Sequence, residues 1–340
     1  MTYYYFLFDG TGGTPTGYTA ITAYDGKYLR FSNSYAGFGS TGGSATHTHT
    51  TSSASVGTCG TYSDKQQSGS GAAIQQAHSH SAPTSYGGLS ANNAPSYYTL
   101  QLIRIDMTTW ENSYKKFPIG SILLASSTLS GFTELSRFTS ADGKLIKLGT
   151  AGSTGGSATH THTLTGTLQN NTSTYNSNTS SDYPAYPTLA DSHNHTVSIT
   201  TPSVDIMPIR IQTRMYKVLS KAYRAAAGCI AFADGNPSAN WELVDWNGYF
   251  LQSVDSDVVT TGSSTHAHSS LSGTSSGHNP GTVAAKDANA INTANRPHYH
   301  SFSINMDSIA HTPEYVDLVP IRLKNTLLAQ KPRSICVNSN

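Results

Sequence analysis

The sequence contains few charged residues. It has 20 Lys and Arg and 19 Asp and Glu among 340 residues, so 11% of the chain is charged and the formal net charge is +1. An average soluble protein has about 25% charged residues. This balance provides no basic surface for nucleic acid and no electrostatic attraction to an anionic membrane. We therefore expect neither nucleic-acid binding nor membrane insertion.

Cysteine and long apolar runs are scarce as well. Cys59, Cys229 and Cys336 lie far apart, which gives neither a disulfide framework nor a CxxC metal site. No stretch approaches the roughly 18 apolar residues of a membrane span. The segment 1–9 lacks the basic start of a signal peptide. We expect an extracellular or virion protein, either assembled inside a cell and released or made with a leader outside this numbering.

Recognisable catalytic motifs are also missing. The chain has no HExxH, GxSxG, phosphate-loop or dinucleotide-binding fingerprint. No acidic residue recurs beside the histidine motifs described below, so a carboxylate base for metal-assisted hydrolysis is not indicated. We predict that the chain is not an enzyme.

A threefold internal repeat organises the sequence. The segment 41–50, TGGSATHTHT, recurs unchanged at 154–163, and a degenerate copy, TGSSTHAH, occupies 261–268. Each copy follows an Asx-Gly dipeptide, which favours tight turns because glycine tolerates positive φ. Each repeat opens on an apolar strand and closes on another that carries one Arg, as in Leu102-Ile103-Arg104-Ile105.

Short apolar runs between Ser/Thr/Gly-rich segments indicate a mostly β fold. We predict three tandem β modules with long Ser/Thr/Gly-rich loops. Their predicted bounds are 1–105, 117–211 and 228–325, with linkers at 106–116 and 212–227 and a C-terminal tail at 326–340. The second linker is the one basic amphipathic stretch, and we expect there either a short helix or an extended linker that packs between the modules.

Twelve of the fourteen histidines form His-x-His pairs, two pairs in each repeat. The candidate metal ligands are His47, His49, His78, His80, His160, His162, His193, His195, His266, His268, His298 and His300. Residues i and i+2 of a strand point to the same face, so each pair presents two imidazoles side by side. Three such strands around an axis would supply six nitrogens, the octahedral number. His278 and His311 are unpaired, and we expect them to be incidental.

Two interpretations of the pairs remain open at this point. Imidazole is a common ligand of Zn, Cu, Ni and Fe, whereas Ca and Mg prefer oxygen, so the pairs indicate a structural transition-metal ion. Alternatively, the histidines hydrogen-bond to the neighbouring threonines or sense pH.

The order of motifs resembles the phage tail-collar and tail-fibre family. The resemblance covers nearly the whole chain. It is carried by PIGSI at 118–122, by DGKYLR at 25–30, DGKL at 142–145 and NGYFLQ at 247–252, by the HxH pairs, and by PSYY at 95–98 and PEY at 313–315. The resemblance implies a trimer-forming fibre component in which HxH pairs ligate iron octahedrally along the fibre axis. Members of that family usually carry one module per chain, whereas this chain has three.

Three functions are compatible with these observations. The first is a self-assembling structural subunit of an extracellular fibre or filament, either a virion tail fibre or a cell-surface filament, present as a homo-oligomer, a helical polymer or an intrachain pseudo-trimer. The second is a receptor-binding adhesin whose loops 61–76 and 170–186 contact a cell-surface glycan through tyrosines such as Tyr175, Tyr183 and Tyr186. The third is a metal-scavenging protein, which would need open and exchangeable sites.

Overall fold

The computed structural model describes residues 2–57, 62–63, 74–75, 80–83, 85–112, 116–125, 128–129, 133–168, 195–220, 228–276 and 299–324. The fold is mostly β with little helix, which confirms the predicted fold class. Among these residues, the largest sheet contains sixteen strands, and six small sheets of two or three strands accompany it.

In the described part of the chain the strands follow one another in three sets. A short α-helix separates the first set from the second, and the third set begins with the third opening strand. Ten strands precede the helix: β1 (Tyr3–Phe8), β2 (Thr19–Ile21), β3 (Tyr28–Phe31), β4 (Thr41–Gly42), β5 (Thr46–Thr48), β6 (Thr51–Val56), β7 (Tyr62–Ser63), β8 (Ile74–Gln75), β9 (Ser90–Asn92) and β10 (Tyr97–Asp106). A 3-10 turn, Tyr35–Gly37, lies between β3 and β4, and helix α1 (Met107–Asn112) follows β10.

The second and third sets contain nine and ten strands. The second set is β11 (Ser121–Ala125), β12 (Leu135–Arg137), β13 (Leu145–Leu148), β14 (Thr154–Gly155), β15 (Thr159–His160), β16 (Thr163–Leu168), β17 (His195–Thr200), β18 (Val204–Asp205) and β19 (Arg210–Val218). The third set is β20 (Cys229–Ala233), β21 (Trp241–Leu243), β22 (Phe250–Ser253), β23 (Val259–Thr261), β24 (Thr265–His266), β25 (Leu271–Thr274), β26 (Ser301–Met306), β27 (Ile309–Ala310), β28 (Tyr315–Leu318) and β29 (Pro320–Leu323).

The opening strands form the centre of the main sheet. β1, β11 and β20 are almost entirely buried and read as continuous apolar runs, which is the pattern of strands covered on both faces. Each pairs antiparallel with the closing strand of its own repeat, β10, β19 or β29, and the three opening strands also pair with one another. The two largest apolar clusters of the protein each contain residues of all three repeats.

Each repeat pairs a strand in parallel with a strand of another repeat, and these pairings form a cycle. The first half of β10 runs parallel to β13 of the second repeat, and β19 runs parallel to β22 of the third. The cycle closes because β28 runs parallel to β3, back in the first repeat. Three repeats of one chain are thereby wound around each other. Their predicted bounds stay a prediction, but their sheets are shared rather than separate.

The two predicted linker ranges contain ordered structure. Helix α1 lies in 106–116 and buries Trp110 against Tyr4 and Phe117, with ring centroids 5.1 and 5.7 Å apart. In the second range, β19 continues to Val218 and pairs with β11 and β12, so this part of the range is extended and packed and is not a helix. The packing of Trp110 was not predicted from the local sequence.

Small ladders outside the main sheet carry the histidine pairs. β5 pairs with β9, β15 with β18 and β24 with β27, one such ladder for each repeat. Beyond them, β16 pairs with β17, and β26 pairs with both β25 and β6, so that strands of the third and first repeats meet there. These outer ladders enclose a small apolar core that includes Leu164, Phe302 and Ile304.

Candidate metal centre

Glycine allows the strands with the first histidine pairs to approach the neighbouring repeat. Gly43, Gly156 and Gly262 have φ of 77°, 70° and 92°, a region that L side chains rarely adopt. A Cβ at these glycines would collide with the carbonyl oxygens of Pro313, Pro95 and Pro208, respectively, each in a different repeat from its glycine. The second glycine of TGGSATHTHT is therefore required, because the two backbones lie too close together for a side chain.

The first pairs project their imidazoles into the interior. In the first repeat His47 and His49 are buried, whereas Thr46, Thr48 and Thr50 are exposed, as the alternation of a strand requires. His162, His266 and His268 are also buried, and His160 is half-buried. The three first pairs thus supply six imidazoles to one interior region.

The six rings form two stacked triangles. The ring centroids of His47, His160 and His266, here the first triangle, are 4.7 Å apart along all three edges. The centroids of His49, His162 and His268, the second triangle, are 4.8, 4.9 and 5.0 Å apart. Each triangle takes one histidine from each repeat.

The two triangles are staggered. Every ring of the first triangle contacts two rings of the second, and the six centroid distances run from 4.8 to 5.4 Å. Two staggered triangles whose corners each have four neighbours are the corners of an octahedron. We call these six residues the six-histidine cluster.

The nitrogen spacing fits imidazole ligands around one metal ion. Nε2 of His49 lies 3.0 Å from Nε2 of His266, and Nε2 of His160 lies 3.0 and 3.4 Å from those of His162 and His268. Metal–imidazole bonds of about 2.1 Å place adjacent nitrogens of an octahedron about 3.0 Å apart. Ligand atoms of five members, all but His268, lie within 4.8 Å of one another. The cluster can therefore hold a metal ion.

The second triangle is oriented by backbone carbonyls of neighbouring repeats. Nδ1 of His49 donates to the oxygen of Asp307 at 2.8 Å. Nδ1 of His162 donates to Gly88 O at 3.1 Å, and that of His268 to Pro202 O at 3.3 Å. A proton on Nδ1 leaves the lone pair on Nε2, which is the atom that faces the other rings. The folded backbone thus fixes these three rings in the tautomer that binds metal.

Three different side chains occupy the equivalent outer positions of the first triangle. These positions are held by Asn93, Ile206 and His311. They are equivalent because the backbone N–H group of each residue donates to the carbonyl of the corresponding residue in its own repeat. Nδ1 of His47 bonds to Asn93 Oδ1 at 2.9 Å, and Nδ1 of His266 lies 3.2 Å from Nδ1 of His311. Nδ1 of His160 is buried and has no hydrogen-bond partner among the described residues.

His311 was expected to be incidental, and the structure places it against the cluster. It is buried, and its ring centroid lies 5.0 Å from that of His266. The spacing within the repeats could have indicated this position, because His311 follows His266 by 45 residues and Asn93 follows His47 by 46.

Burial holds these imidazoles in the neutral form. Desolvation, reinforced by repulsion from neighbouring imidazoles, lowers the pKa of His47 to about 4 and that of His160 to about 3. The same causes lower the pKa of His268 to about 4 and shift the pKa of His266 strongly downward. Neutral imidazole is the form that coordinates a metal, so these donors are available at neutral pH.

A second group of histidines lies among the outer ladders. His80, His195 and His300 are buried, and their ring centroids are 4.5 to 4.9 Å apart. Their ligand atoms lie within 4.8 Å of one another. Nδ1 of His195 and of His300 donate to backbone carbonyls, Ser276 O at 2.7 Å and Gly57 O at 3.0 Å. This third triangle repeats the arrangement of the first two.

Some predicted site residues lie outside the described part of the chain. They are the first members of the second pairs, His78, His193 and His298, together with most of the glycan-contact loops 61–76 and 170–186. Of the twelve predicted ligands, the structure therefore brings nine into two groups.

Comparisons with protein families, with curated proteins and with solved structures find no match to this chain. Within the described residues, no helix is long and apolar enough to cross a membrane.

Proposed function

We propose that the chain is a structural protein whose three repeats are held together by a transition-metal ion in the six-histidine cluster. The two staggered triangles carry this proposal, because each triangle draws one imidazole from each repeat. An ion bound there would connect all three repeats at once, whereas a bond within one repeat would add nothing to their association.

The donor set decides which ions fit. All six donors are imidazole nitrogens, and no carboxylate belongs to either histidine group among the described residues. Ca²⁺ and Mg²⁺ prefer oxygen ligands, whereas imidazole suits Fe, Ni, Cu and Zn. Six-coordination favours ions such as Fe²⁺ or Ni²⁺ over Zn²⁺, which is usually four-coordinate at structural sites.

A structural role accounts for the site better than catalysis or storage. Catalytic metal sites keep a coordination position open, whereas here six nitrogens surround the centre. Five of the six rings are buried, which disfavours the rapid exchange that a scavenging protein needs. The ion would supply cross-linking of the repeats and no reaction chemistry.

We further propose that this clamp serves an extracellular fibre or filament, of a virion or of a cell surface. The low charge, the Ser/Thr/Gly-rich composition and the resemblance to collar modules support this role. The closing strands are already paired within the chain, so they do not need a second copy as partner. Self-association into a filament would therefore use other surfaces, and the chain itself supplies the threefold arrangement.

A metal-free explanation of the short Nε2 contacts exists and must be tested. If His160 and His266 carried their protons on Nε2, those atoms could donate to Nε2 atoms of the second triangle as ordinary hydrogen bonds. The cluster would then be a packed imidazole core without an ion.

Metal analysis of untagged, extensively dialysed protein distinguishes the two explanations. We expect at least one tightly bound transition-metal ion per chain, and X-ray absorption should show about six nitrogen neighbours. His160→Ala/His162→Ala should lose the ion and lower the thermal midpoint of the loaded protein. Thr161→Ala, at the exposed residue between the two histidines, is the matched control and should retain both. A metal-free protein with unchanged stability in the double variant would refute the clamp.

The fibre role needs a separate measurement. Electron microscopy of the purified chain should show filaments or slender particles of defined length. A compact monomer at all concentrations would leave the metal clamp intact but contradict the fibre role.

A further inference from the structure

One corner of the six-histidine cluster lacks the support that the other corners have. Nδ1 of each second-triangle ring donates to a backbone carbonyl, and His47 and His266 have Asn93 and His311. At the third equivalent position stands Ile206, whose side chain has no polar atom and is buried. His160 therefore has no side chain there that could fix its tautomer or its ring orientation.

The same corner is the most accessible one. His160 is half-buried, whereas the other five members are buried. A cleft of about 520 Å³ between the first and second repeats reaches His160, and no other member of the cluster is among its lining residues. Ala94, Ser157 and Thr159 form part of its wall.

We propose that His160 is the exchangeable ligand of the cluster and that this cleft is the route by which the metal ion enters and leaves. This inference rests on the proposed metal clamp. Outer hydrogen bonds orient ligating imidazoles and raise their basicity, and their loss typically weakens metal binding about 10- to 100-fold. The ring without such a bond dissociates first, and it does so where solvent and a chelator can reach the ion.

The surroundings of Asn93 show how a side chain at position 206 could support His160. The amide nitrogen of Asn93 lies 3.3 and 3.4 Å from the carbonyls of Ser44 and Thr312, which leaves its oxygen to accept from His47. The equivalent carbonyls around position 206 belong to Ser157 and Ala94, which the same backbone bonding pattern brings together. An asparagine at 206 would thus find the partners that orient Asn93.

The first test compares metal release from variants at equivalent positions. Protein loaded with Co²⁺ is mixed with excess chelator, and the release rate is followed by absorbance. Ile206→Asn should release Co²⁺ about ten times more slowly than the parent, and Asn93→Ile about ten times faster. Ile206→Val keeps the position apolar and should leave the rate unchanged. Equal rates in all four proteins would overturn the assignment of His160 as the weak corner.

The second test concerns the cleft. Ser157→Trp should slow both loading and release of Co²⁺ without changing the equilibrium affinity. Ser44→Trp is the matched control, because both serines accept a hydrogen bond at 3.3 Å from the backbone two residues on, and only Ser157 lines the cleft. Equal slowing by both variants, or by neither, would overturn the route.

The metal-free protein gives a readout that does not depend on loading. Nitrogen NMR of the imidazoles should show His47 with its proton fixed on Nδ1 and His160 without that preference. Ile206→Asn should move the proton of His160 to Nδ1. If no variant binds Co²⁺ but this tautomer pattern holds, the metal clamp fails and the asymmetry stands. If Co²⁺ binds and the pattern is absent, only the inference about His160 fails.

Discussion

Arg30 and Asp317, 287 positions apart in the chain, form a two-point ion pair. Nε of Arg30 lies 2.7 Å from Oδ1 of Asp317, and its terminal nitrogen lies 2.8 Å from Oδ2. The two residues are register partners in the parallel pairing that joins the third repeat back to the first. The corresponding partners at the other two junctions are Gln212 with Gln252, and Thr99 with Lys147. The junction that closes the cycle is therefore the one with an ion pair at this position.

Removal of one partner should weaken this closure. Asp317→Ala leaves Arg30 partly buried without its carboxylate, and we expect the free energy of unfolding to fall by about 2 kcal/mol in urea titrations. Gln212→Ala, at the equivalent position, removes a neutral hydrogen bond and should cost about 1 kcal/mol. A loss at Asp317 no larger than at Gln212 would mean that the ion pair contributes nothing special to closure.

Two glycines with similar φ allow the cost of backbone strain to be measured separately from the cost of a close contact. Gly156 and Gly143 have φ of 70° and 75°, but a Cβ at Gly156 meets the carbonyls of Pro95 and Ala94, whereas a Cβ at Gly143 meets nothing within 4 Å. Gly143→Ala should cost about 1 kcal/mol for the unfavourable φ. Gly156→Ala should cost at least about 2 kcal/mol more and should weaken metal binding, because the strand that carries His160 must move. Equal thermal midpoints would contradict this.

The metal-free protein should be sensitive to mild acid. The pKa values of His47 and His268 are near 4 in the folded protein, and an unfolded histidine titrates near about 6.5. Between these values the unfolded chain binds more protons than the folded one, so stability is fully present above pH about 6.5 and is lost as the pH falls toward about 4. Urea midpoints of chelator-treated protein should fall from pH 7 to pH 5, and the dependence should be shallower for His268→Gln. A flat profile would indicate that the rings are hydrated.

A single repeat should not fold alone. A fragment of residues 117–218 would retain β11, β13 and β19 but lose β10 and β22, the parallel partners that β13 and β19 have in the whole chain. We expect a random-coil circular dichroism spectrum for the fragment and a cooperative β transition for the whole chain. A cooperative transition in the fragment would show that the repeats are independent modules after all.

The sequence predicted the class of fold and the shared face of the paired histidines, because both follow from the local pattern of residues. Period-two alternation in TGGSATHTHT places His47 and His49 on one face, and the unchanged copy at His160 and His162 predicts an equivalent strand. Repeated spacing then predicts equivalent surroundings. These signals need no knowledge of tertiary contacts.

The winding of the repeats could not be predicted in this way. The pairing of Tyr97 with Leu145 and of Tyr315 with Tyr28 joins different repeats, and a repetitive sequence fits pairing within a repeat as well as between repeats. The roles of Trp110 and His311 were missed for a related reason. Each is defined by a distant partner, Tyr4 for one and His266 for the other, and not by a local motif.

The cyclic exchange of strands within one polypeptide has a consequence for how such a centre can change over time. In an assembly of three identical chains, any substitution occurs at all three corners simultaneously, so the surroundings of the ion stay symmetric. Here Asn93, Ile206 and His311 occupy one equivalent position with three different side chains. Because the three repeats are covalently joined, their association also does not depend on protein concentration. The chain thus keeps the geometry of a symmetric assembly while each corner is free to diverge alone.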